Sequence, residues 1–147
     1  MQVNELLSPA DVSIEFKAAN KSALLRGLAD VVARSTSIPA DAIAFSLAER
    51  ERLGGTGTGQ GVALPHARIA GLEKPFAHFA RLQSPIEYGA VDDLPVDLVF
   101  MLLLPDRAEC RPLQALACVA RKLRNEETLR LSRSARDTAG LYSAVIG

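Results

Sequence analysis

Apolar residues in the first third of the chain recur three and four positions apart, which predicts two amphipathic helices. Ser22 is expected to cap the first helix. Its apolar positions are Leu24, Leu25, Leu28, Val31 and Val32. Pro39 suits the first turn of the second helix, which the pattern places at residues 40–53. Gly54 and Gly55 come next and are expected to end that helix in left-handed conformations.

Three stretches of the chain have the composition or spacing of β-strands. Residues 12–16 form a short, weakly alternating stretch, and residues 76–82 alternate more clearly. Residues 96–104 are almost continuously apolar and lie between Pro95 and Pro105. A run of this kind is typical of a central strand that is buried on both faces.

Helical spacing returns in the last third of the chain. It predicts a helix from Pro112 onward, a short one at residues 126–134 and a last one at residues 137–146. Two helices, then strands, then helices again indicate a layered α/β or α+β fold. Because there is no internal repeat and no long linker, residues 1–147 are expected to form a single domain.

Charge and composition exclude several classes of function. Lysine plus arginine equals aspartate plus glutamate at 17 each, so no overall basic field would attract nucleic acid or an anionic membrane. The arginines between residues 121 and 136 leave a local basic patch as the alternative to ordinary solvated helix faces. The two cysteines, Cys110 and Cys118, are too few for a disulfide framework or a zinc tetrad.

The sequence also lacks the usual signals for export or membrane insertion. The longest apolar run is residues 98–104, which is far shorter than a membrane span. Residues 1–7 do not have a basic segment followed by an apolar stretch, so no secretory signal is expected. These two observations predict a cytoplasmic protein with no membrane insertion.

Glycines at four alternating positions, 55, 57, 59 and 61, make the sharpest compositional feature of the chain. The glycine spacing of a dinucleotide-binding loop is absent, and so is the Gly-Lys-Ser/Thr ending of a nucleoside-triphosphate loop. Two interpretations remain at this point. The segment is either a tight connection without a ligand, or a loop whose backbone N–H groups bind an anion. The run Pro65-His66-Ala67-Arg68, which follows closely, favours the second.

His66 is the residue on which a chemical function would depend. The chain has only one other histidine, His78, which is expected to be structural or at the surface. No metal-ligand cluster accompanies either histidine, and no serine has the context of a nucleophile elbow, so no metal is expected and a hydrolase is disfavoured. A neutral histidine can itself attack phosphorus, and such a reaction needs mainly positioning and charge stabilisation.

The residues near His66 could provide that stabilisation. Arg50 and Arg68 offer guanidinium donors that suit phosphate oxygens. The hydroxyls of Thr56 and Thr58 and the backbone N–H groups of residues 56–61, which include Gly57 and Gly59, are further candidates. We therefore predict that His66 is the catalytic residue and that Arg50, Thr56, Gly57, Gly59 and Arg68 bind phosphate.

Residues 49–66, which read ERERLGGTGTGQGVALPH, resemble the signature of enzyme IIA domains of the phosphoenolpyruvate-dependent phosphotransferase system. The similarity is to the fructose/mannitol class and, within it, to the nitrogen-regulatory branch. Residues 81–100 resemble the strand pair of these domains, and the opening Leu6-Leu-Ser-Pro agrees with them too. The resemblance covers essentially the whole chain. No transporter or IIB segment is readable in these residues, which favours the regulatory branch over sugar transport.

The resemblance implies a fold and a set of partners. The fold would be α/β, with a mixed β-sheet sandwiched between helices. His66 would accept a phosphoryl group on Nε2 from an HPr-like phosphocarrier protein, and no cofactor is implied. In sugar-transporting members the group passes to a IIB domain. In the nitrogen-regulatory branch the phosphorylation state governs binding to regulated proteins such as transporters or sensor kinases. Arg50 matches an arginine that lines the family's site, and Thr56 with the glycine segment matches its walls.

Three positions depart from the family pattern. Gly55 stands where serine or threonine is usual, and Ala67 is one of the residues that vary beside the histidine. Pro112 stands where the family commonly has a second active-site histidine, at the start of the helix after the long strand. Arg107 or Arg111 is the candidate to compensate for that missing donor; unchanged phosphotransfer in both alanine variants would exclude this hypothesis.

Pro112 also keeps alternative functions open. One is a regulatory protein-binding module with the same fold and weak or absent phosphotransfer. A more distant one is a domain that binds a small anion at the glycine segment without any covalent change.

Overall fold

The computed structural model describes residues 1–107 and 112–147. Two short 3-10 helices, Val3–Glu5 and Pro9–Asp11, precede the first strand. The helices are α1 Lys21–Ser35, α2 Ala40–Leu53, α3 Pro112–Lys122, α4 Glu126–Ser134 and α5 Thr138–Ile146. The strands are β1 Val12–Phe16, β2 Gly57–Gly59, β3 Val62–Ala63, β4 His66–Ile69, β5 Phe76–Ile86 and β6 Val96–Pro105.

The six strands form one mixed sheet around β6. β5 runs antiparallel to one edge of β6, and β1 pairs in parallel with the far side of β5. β3 and β4 both pair in parallel with the other edge of β6, through Val62↔Leu98 and His66↔Leu102 among others. β2 completes the sheet as the antiparallel partner of β3. The mixed sheet that the family resemblance implies is therefore confirmed.

The interruption between β3 and β4 determines where His66 lies. Pro65 has no backbone N–H, so it cannot donate to the sheet, but its carbonyl still accepts a hydrogen bond from the Leu102 N–H at 3.0 Å. The chain thus stays beside β6 across the break. His66 follows at once as the first residue of β4, so its backbone is fixed against β6, in which every residue except Asp97 is buried.

β6 is buried on both faces, as its continuous apolar run predicts. Val99, Met101 and Leu103 pack in a core that includes residues of α1 and α2. Leu98, Phe100, Leu102 and Leu104 pack in a second core with residues of α3, α4 and α5. The sheet therefore lies between two helical layers, which confirms the sandwich that the resemblance implies.

Helix ends differ from the sequence predictions in three places. Asn20, not Ser22, caps α1, because its side-chain oxygen accepts the Ala23 N–H at 2.8 Å. Pro39 is the residue before α2 and not part of its first turn. The expected left-handed ending at Gly54 and Gly55 is wrong: Gly54 has φ 168°, which is extended backbone, and Gly55 is not among the residues with positive φ.

The strand and helix boundaries are otherwise close to the predicted ones. β5 runs four residues beyond the predicted end, to Ile86, and α5 begins at Thr138 with Asp137 as its cap. α3 begins at Pro112 as expected. Cys110 and Arg111 lie outside the described residues.

The alternating glycines build a β-hairpin. Gln60 and Gly61 form its two-residue turn, with φ of 59° and 78°, the sign pattern of a type I′ turn. The loop before β6 packs directly on this hairpin: the Val91 N–H donates to the Gly57 carbonyl, and the Gln60 N–H donates to the Asp92 carboxylate. A Cβ at residue 57 would lie 2.8 Å from the Cα of Ala90. The absence of a side chain at Gly57 is thus a packing requirement.

We expect Gly57→Ala to destabilise the protein by about 1–3 kcal/mol, because the added methyl would have to displace the backbone at Ala90. Gly54→Ala is the matched control, since a Cβ there meets nothing within 4 Å and the backbone is extended. The free energy of unfolding in urea measures both. Equal stabilities of the two variants would show that the hairpin does not depend on this close contact.

Candidate functional site

The imidazole of His66 is held in one orientation by its own chain. The ring is half-buried, and its Nδ1 lies 2.8 Å from the carbonyl oxygen of Leu64. A carbonyl oxygen can only accept, so Nδ1 must carry the hydrogen. In a neutral imidazole the other nitrogen, Nε2, then has a free lone pair.

Arg50 approaches that second nitrogen from the last turn of α2. Its Nε–H donates to His66 Nε2 at 3.2 Å, which requires the same tautomer as the bond to Leu64. Its Nη1 donates to the Gly54 carbonyl at 2.8 Å, just beyond the helix end. The guanidinium is therefore anchored at one nitrogen and directed at the imidazole by another.

The surroundings of His66 favour its neutral form. Burial lowers the pKa of its imidazole below 6.5, and the positive charge of Arg50 lowers it further. The hydrogen bond to Leu64 and the negative charge of Glu51 oppose this shift without cancelling it. At neutral pH most of the molecules therefore carry a neutral His66 whose Nε2 can act as a nucleophile.

Glu51 was not predicted from the sequence, yet it is the centre of a hydrogen-bonded cluster beside His66. Its Oε2 accepts from Lys21 Nζ at 3.0 Å and from the Thr56 N–H at 2.7 Å. Its Oε1 accepts from the Tyr88 hydroxyl at 2.8 Å and from the Thr56 hydroxyl. Burial alone would raise the pKa of Glu51, but these hydrogen bonds together lower it. The carboxylate is thus ionised at neutral pH although its side chain is only 7% exposed.

The predicted phosphate-binding residues on the glycine segment lie near His66 in sequence but already have partners. The Thr56 hydroxyl and N–H are bonded to Glu51, and the Thr58 hydroxyl donates to the Val62 carbonyl at 3.4 Å. Gly57 and Gly59 belong to β2 and pair with β3. A phosphoryl group would have to replace the bonds of Thr56 to recruit it. The phosphate-binding roles of Thr56, Gly57 and Gly59 stay predictions.

Arg68 lies two residues beyond His66 on β4, so both side chains project from the same face of that strand. Its exposed side chain donates to the Arg107 carbonyl at 3.3 Å, and Arg107 in turn donates to the Glu73 carbonyl at 2.6 Å. Roles of Arg68 in phosphate binding and of Arg107 or Arg111 in replacing the family's second histidine stay predictions.

His78 has none of the features of an acceptor site. Its side chain is 3% exposed, and its Nε2 shares a 2.8 Å hydrogen bond with the Ser13 hydroxyl on β1. Burial, with a smaller contribution from the charge of Arg34, lowers its pKa to about 4. The structural role predicted for His78 agrees with this position. Across residues 1–107 and 112–147, no cluster of potential metal ligands is found.

The helices in the described part of the chain are too short or too polar to span a lipid bilayer.

The pKa of His66 provides a direct check on this geometry. We expect a value below 6.5 in the native protein and a higher one in Arg50→Gln, because the substitution removes a neighbouring positive charge.

An NMR titration of the imidazole carbons measures this pKa. Arg52→Gln is the control, because Arg52 is exposed and pairs with Glu49 rather than with His66. A native value above 6.5, or the same value in Arg50→Gln as in the native protein, would contradict the proposed contact between Arg50 and Nε2.

Comparison with known proteins identifies the family of this chain. The family model for the phosphoenolpyruvate-dependent sugar phosphotransferase system, EIIA 2, matches residues 5–146. A nitrogen regulatory protein of Bradyrhizobium diazoefficiens is 39% identical over 145 residues, covering 99% of this chain and 95% of the relative. A nitrogen regulatory protein of Pseudomonas aeruginosa is 33% identical, covering 99% and 96%.

Solved structures of nitrogen regulatory and mannitol IIA proteins have the same fold as this chain. The nitrogen regulatory protein IIA-Ntr of Neisseria meningitidis superposes with a TM-score of 0.90 at 28% identity, covering 97% of this chain and 98% of that one. IIA mannitol of Escherichia coli superposes with a TM-score of 0.77 at 15% identity, covering 94% and 97%, and so shows the fold alone. With a family model that spans nearly the whole sequence and relatives above 30% identity over almost all of it, the chain belongs to the EIIA 2 family of the phosphoenolpyruvate-dependent sugar phosphotransferase system, in its nitrogen-regulatory branch.

Proposed function

We propose that this protein is a phosphocarrier that accepts a phosphoryl group on Nε2 of His66 from an HPr-like protein in the cytoplasm. One observation carries the proposal. The Leu64 carbonyl holds the imidazole hydrogen on Nδ1, which leaves a lone pair on Nε2 beside an arginine. This is the arrangement that a histidine needs in order to attack phosphorus and to have the resulting charge stabilised.

The transfer needs no general base at His66. The Nε2 lone pair attacks the phosphorus atom of the donor, and a bond forms between nitrogen and phosphorus. The bond from phosphorus to the donor breaks, and its electron pair stays on the donor. Since Nε2 carries no proton beforehand, none has to be removed from it. The hydrogen on Nδ1 stays with the Leu64 carbonyl, which keeps the ring in place throughout.

Arg50 would change partners during the reaction. Its Nε–H, which donates to Nε2 before transfer, would turn to an oxygen of the incoming group, because Nε2 has then lost its lone pair to phosphorus. Its anchor at the Gly54 carbonyl limits how far the guanidinium has to move. Preorganised donors of this kind are worth about a hundredfold in rate or more when they face charge that develops in the transition state.

The outcome of phosphorylation would be a change in which proteins bind. The nitrogen regulatory names of the relatives support regulated partners, such as transporters or sensor kinases, more than a sugar. A phosphoryl group adds about −1.5 to −2 charges at neutral pH. On a half-buried histidine next to Arg50 this would reverse the local charge, so a partner that fits one form would be repelled by the other.

Phosphorylation can be followed by intact mass after incubation with phosphoenolpyruvate, enzyme I and an HPr-like carrier. We expect an acid-labile addition of one phosphoryl group to the native protein and none to His66→Ala. Because His78 is buried and is the only other histidine, it should not substitute. Arg52→Gln should be labelled as readily as the native protein.

Two results would contradict the proposal. If the native protein stays unmodified while the HPr-like donor is demonstrably phosphorylated, the alternative of a regulatory binding module without phosphotransfer is favoured; Pro112, at the family's second histidine position, is the observation behind that alternative. A phosphoryl group that is still added to His66→Ala would show that another residue is the acceptor.

A further inference from the structure

The Glu51 carboxylate is surrounded by hydrogen-bond donors. Lys21, Tyr88 and the two groups of Thr56 all point their hydrogens at its two oxygens. An ionised carboxylate accepts all four bonds, whereas an amide would present an NH₂ group to donors on one side. The cluster therefore requires an acidic side chain, and not only a polar one, at this position.

Glu51 and its neighbour Arg50 form hydrogen bonds with the two ends of the short segment 54–56. Arg50 donates to the carbonyl of Gly54, and Glu51 accepts from the backbone N–H of Thr56, two residues further on. The Glu51 carbonyl also accepts the Gly54 N–H at 3.2 Å. Residues 50 and 51 thus hold both ends of residues 54–56, which cross from the end of α2 to the hairpin; the Thr56 carbonyl also accepts the Leu64 N–H at 2.9 Å.

We propose that Glu51 is a positioning residue for phosphotransfer. By holding Thr56 it fixes the Gly54 carbonyl, and that carbonyl keeps the Arg50 guanidinium directed at His66 Nε2. Lys21, from the first turn of α1, and Tyr88, whose ring lies 4.4 Å from Lys21 Nζ, hold Glu51 in turn. This inference rests on the proposed acceptance of a phosphoryl group at His66, and it adds a residue that never touches that group.

Burial makes the inference testable, because it separates positioning from docking. The Glu51 side chain is only 7% exposed, so a donor protein cannot contact it to any useful extent. A change at Glu51 should therefore affect the rate at saturating donor and leave the donor KM unchanged. Misplacement of a catalytic group by about 1 Å can lower a rate by up to about a hundredfold.

The test compares Glu51→Gln with Glu49→Gln. Glu49 lies in the same turn of α2, but its exposed carboxylate pairs only with Arg52 among the described residues. We expect the rate of His66 phosphorylation at saturating donor to fall about tenfold or more in Glu51→Gln, with the donor KM unchanged. Glu49→Gln should retain the native rate. A native rate in Glu51→Gln, or a fall that comes entirely from KM, would overturn the proposal.

A second variant pair shows whether Glu51 acts through Arg50. In an Arg50→Gln background, Glu51→Gln should slow transfer much less than it does in the native protein, because the group that it positions is already gone. Full additivity of the two effects would contradict the proposed route. If Glu51→Gln fails to fold, Tyr88→Phe, which removes one of the four donors, should give a smaller loss with the same dependence on Arg50.

A readout on the unphosphorylated protein separates this inference from the proposed function. Glu51→Gln should shift or broaden the NMR signal of the Arg50 Nε–H proton, because the guanidinium is no longer held at His66 Nε2, and Glu49→Gln should leave that signal as in the native protein. If no variant accepts a phosphoryl group but the Arg50 Nε–H signal changes in Glu51→Gln alone, the proposed function fails and the link from Glu51 to Arg50 stands. An Arg50 signal that is unchanged in Glu51→Gln would remove that link whatever the transfer assay shows.

Discussion

The hydrogen bond from His66 Nδ1 to the carbonyl of Leu64 is the interaction on which the site depends. It joins two residues in the short connection from β3 into β4. It decides which ring nitrogen carries the hydrogen and which one has a free lone pair. The hydrogen bond from Arg50 depends on this tautomer, because a guanidinium can donate to Nε2 only if Nε2 has no hydrogen.

The rest of the fold supports this short segment from both sides. The hairpin of β2 and β3 lies directly before this segment. The loop after β5 packs so closely on the hairpin that Gly57 has no room for a side chain. The residues after it pair with β6, whose two buried faces carry the cores of both helical layers. A strand that borders the central strand holds a side chain more precisely than a loop does.

The sequence predicted best those features whose residue pattern has a single physical explanation. The continuous apolar run of β6 predicted a strand buried on both faces, and the Pro-His pair after alternating glycines pointed to His66. The glycines left two interpretations open, a tight connection and an anion-binding loop. The structure shows that Gly57 meets Ala90 and that Gln60 and Gly61 form a turn, and the sequence specified neither of these contacts. Glycines that make room for a ligand and glycines that make room for a neighbouring loop look the same in a sequence.

The Glu51 cluster could not have been read from the sequence, because Lys21, Thr56 and Tyr88 reach it from three separate parts of the chain. Within the run Glu49-Arg-Glu-Arg52, one glutamate is buried and the other exposed, and only the packing of α2 against its neighbours distinguishes them. The misassigned helix cap is a smaller case of the same kind. Asparagine and serine both favour the N-cap position of a helix, and only the structure shows that α1 begins at Lys21, directly after Asn20.

The tautomer of His66 is the most direct test of the central claim. Long-range proton–nitrogen NMR spectra of the unphosphorylated protein near neutral pH distinguish a ring nitrogen that carries hydrogen from one that does not. We expect the His66 signals of a neutral ring with hydrogen on Nδ1 and a bare Nε2, and loss of the free Nε2 signal once the phosphoryl group is attached. A ring protonated on Nε2, or charged on both nitrogens at that pH, would contradict the claim that His66 is held ready for attack on phosphorus.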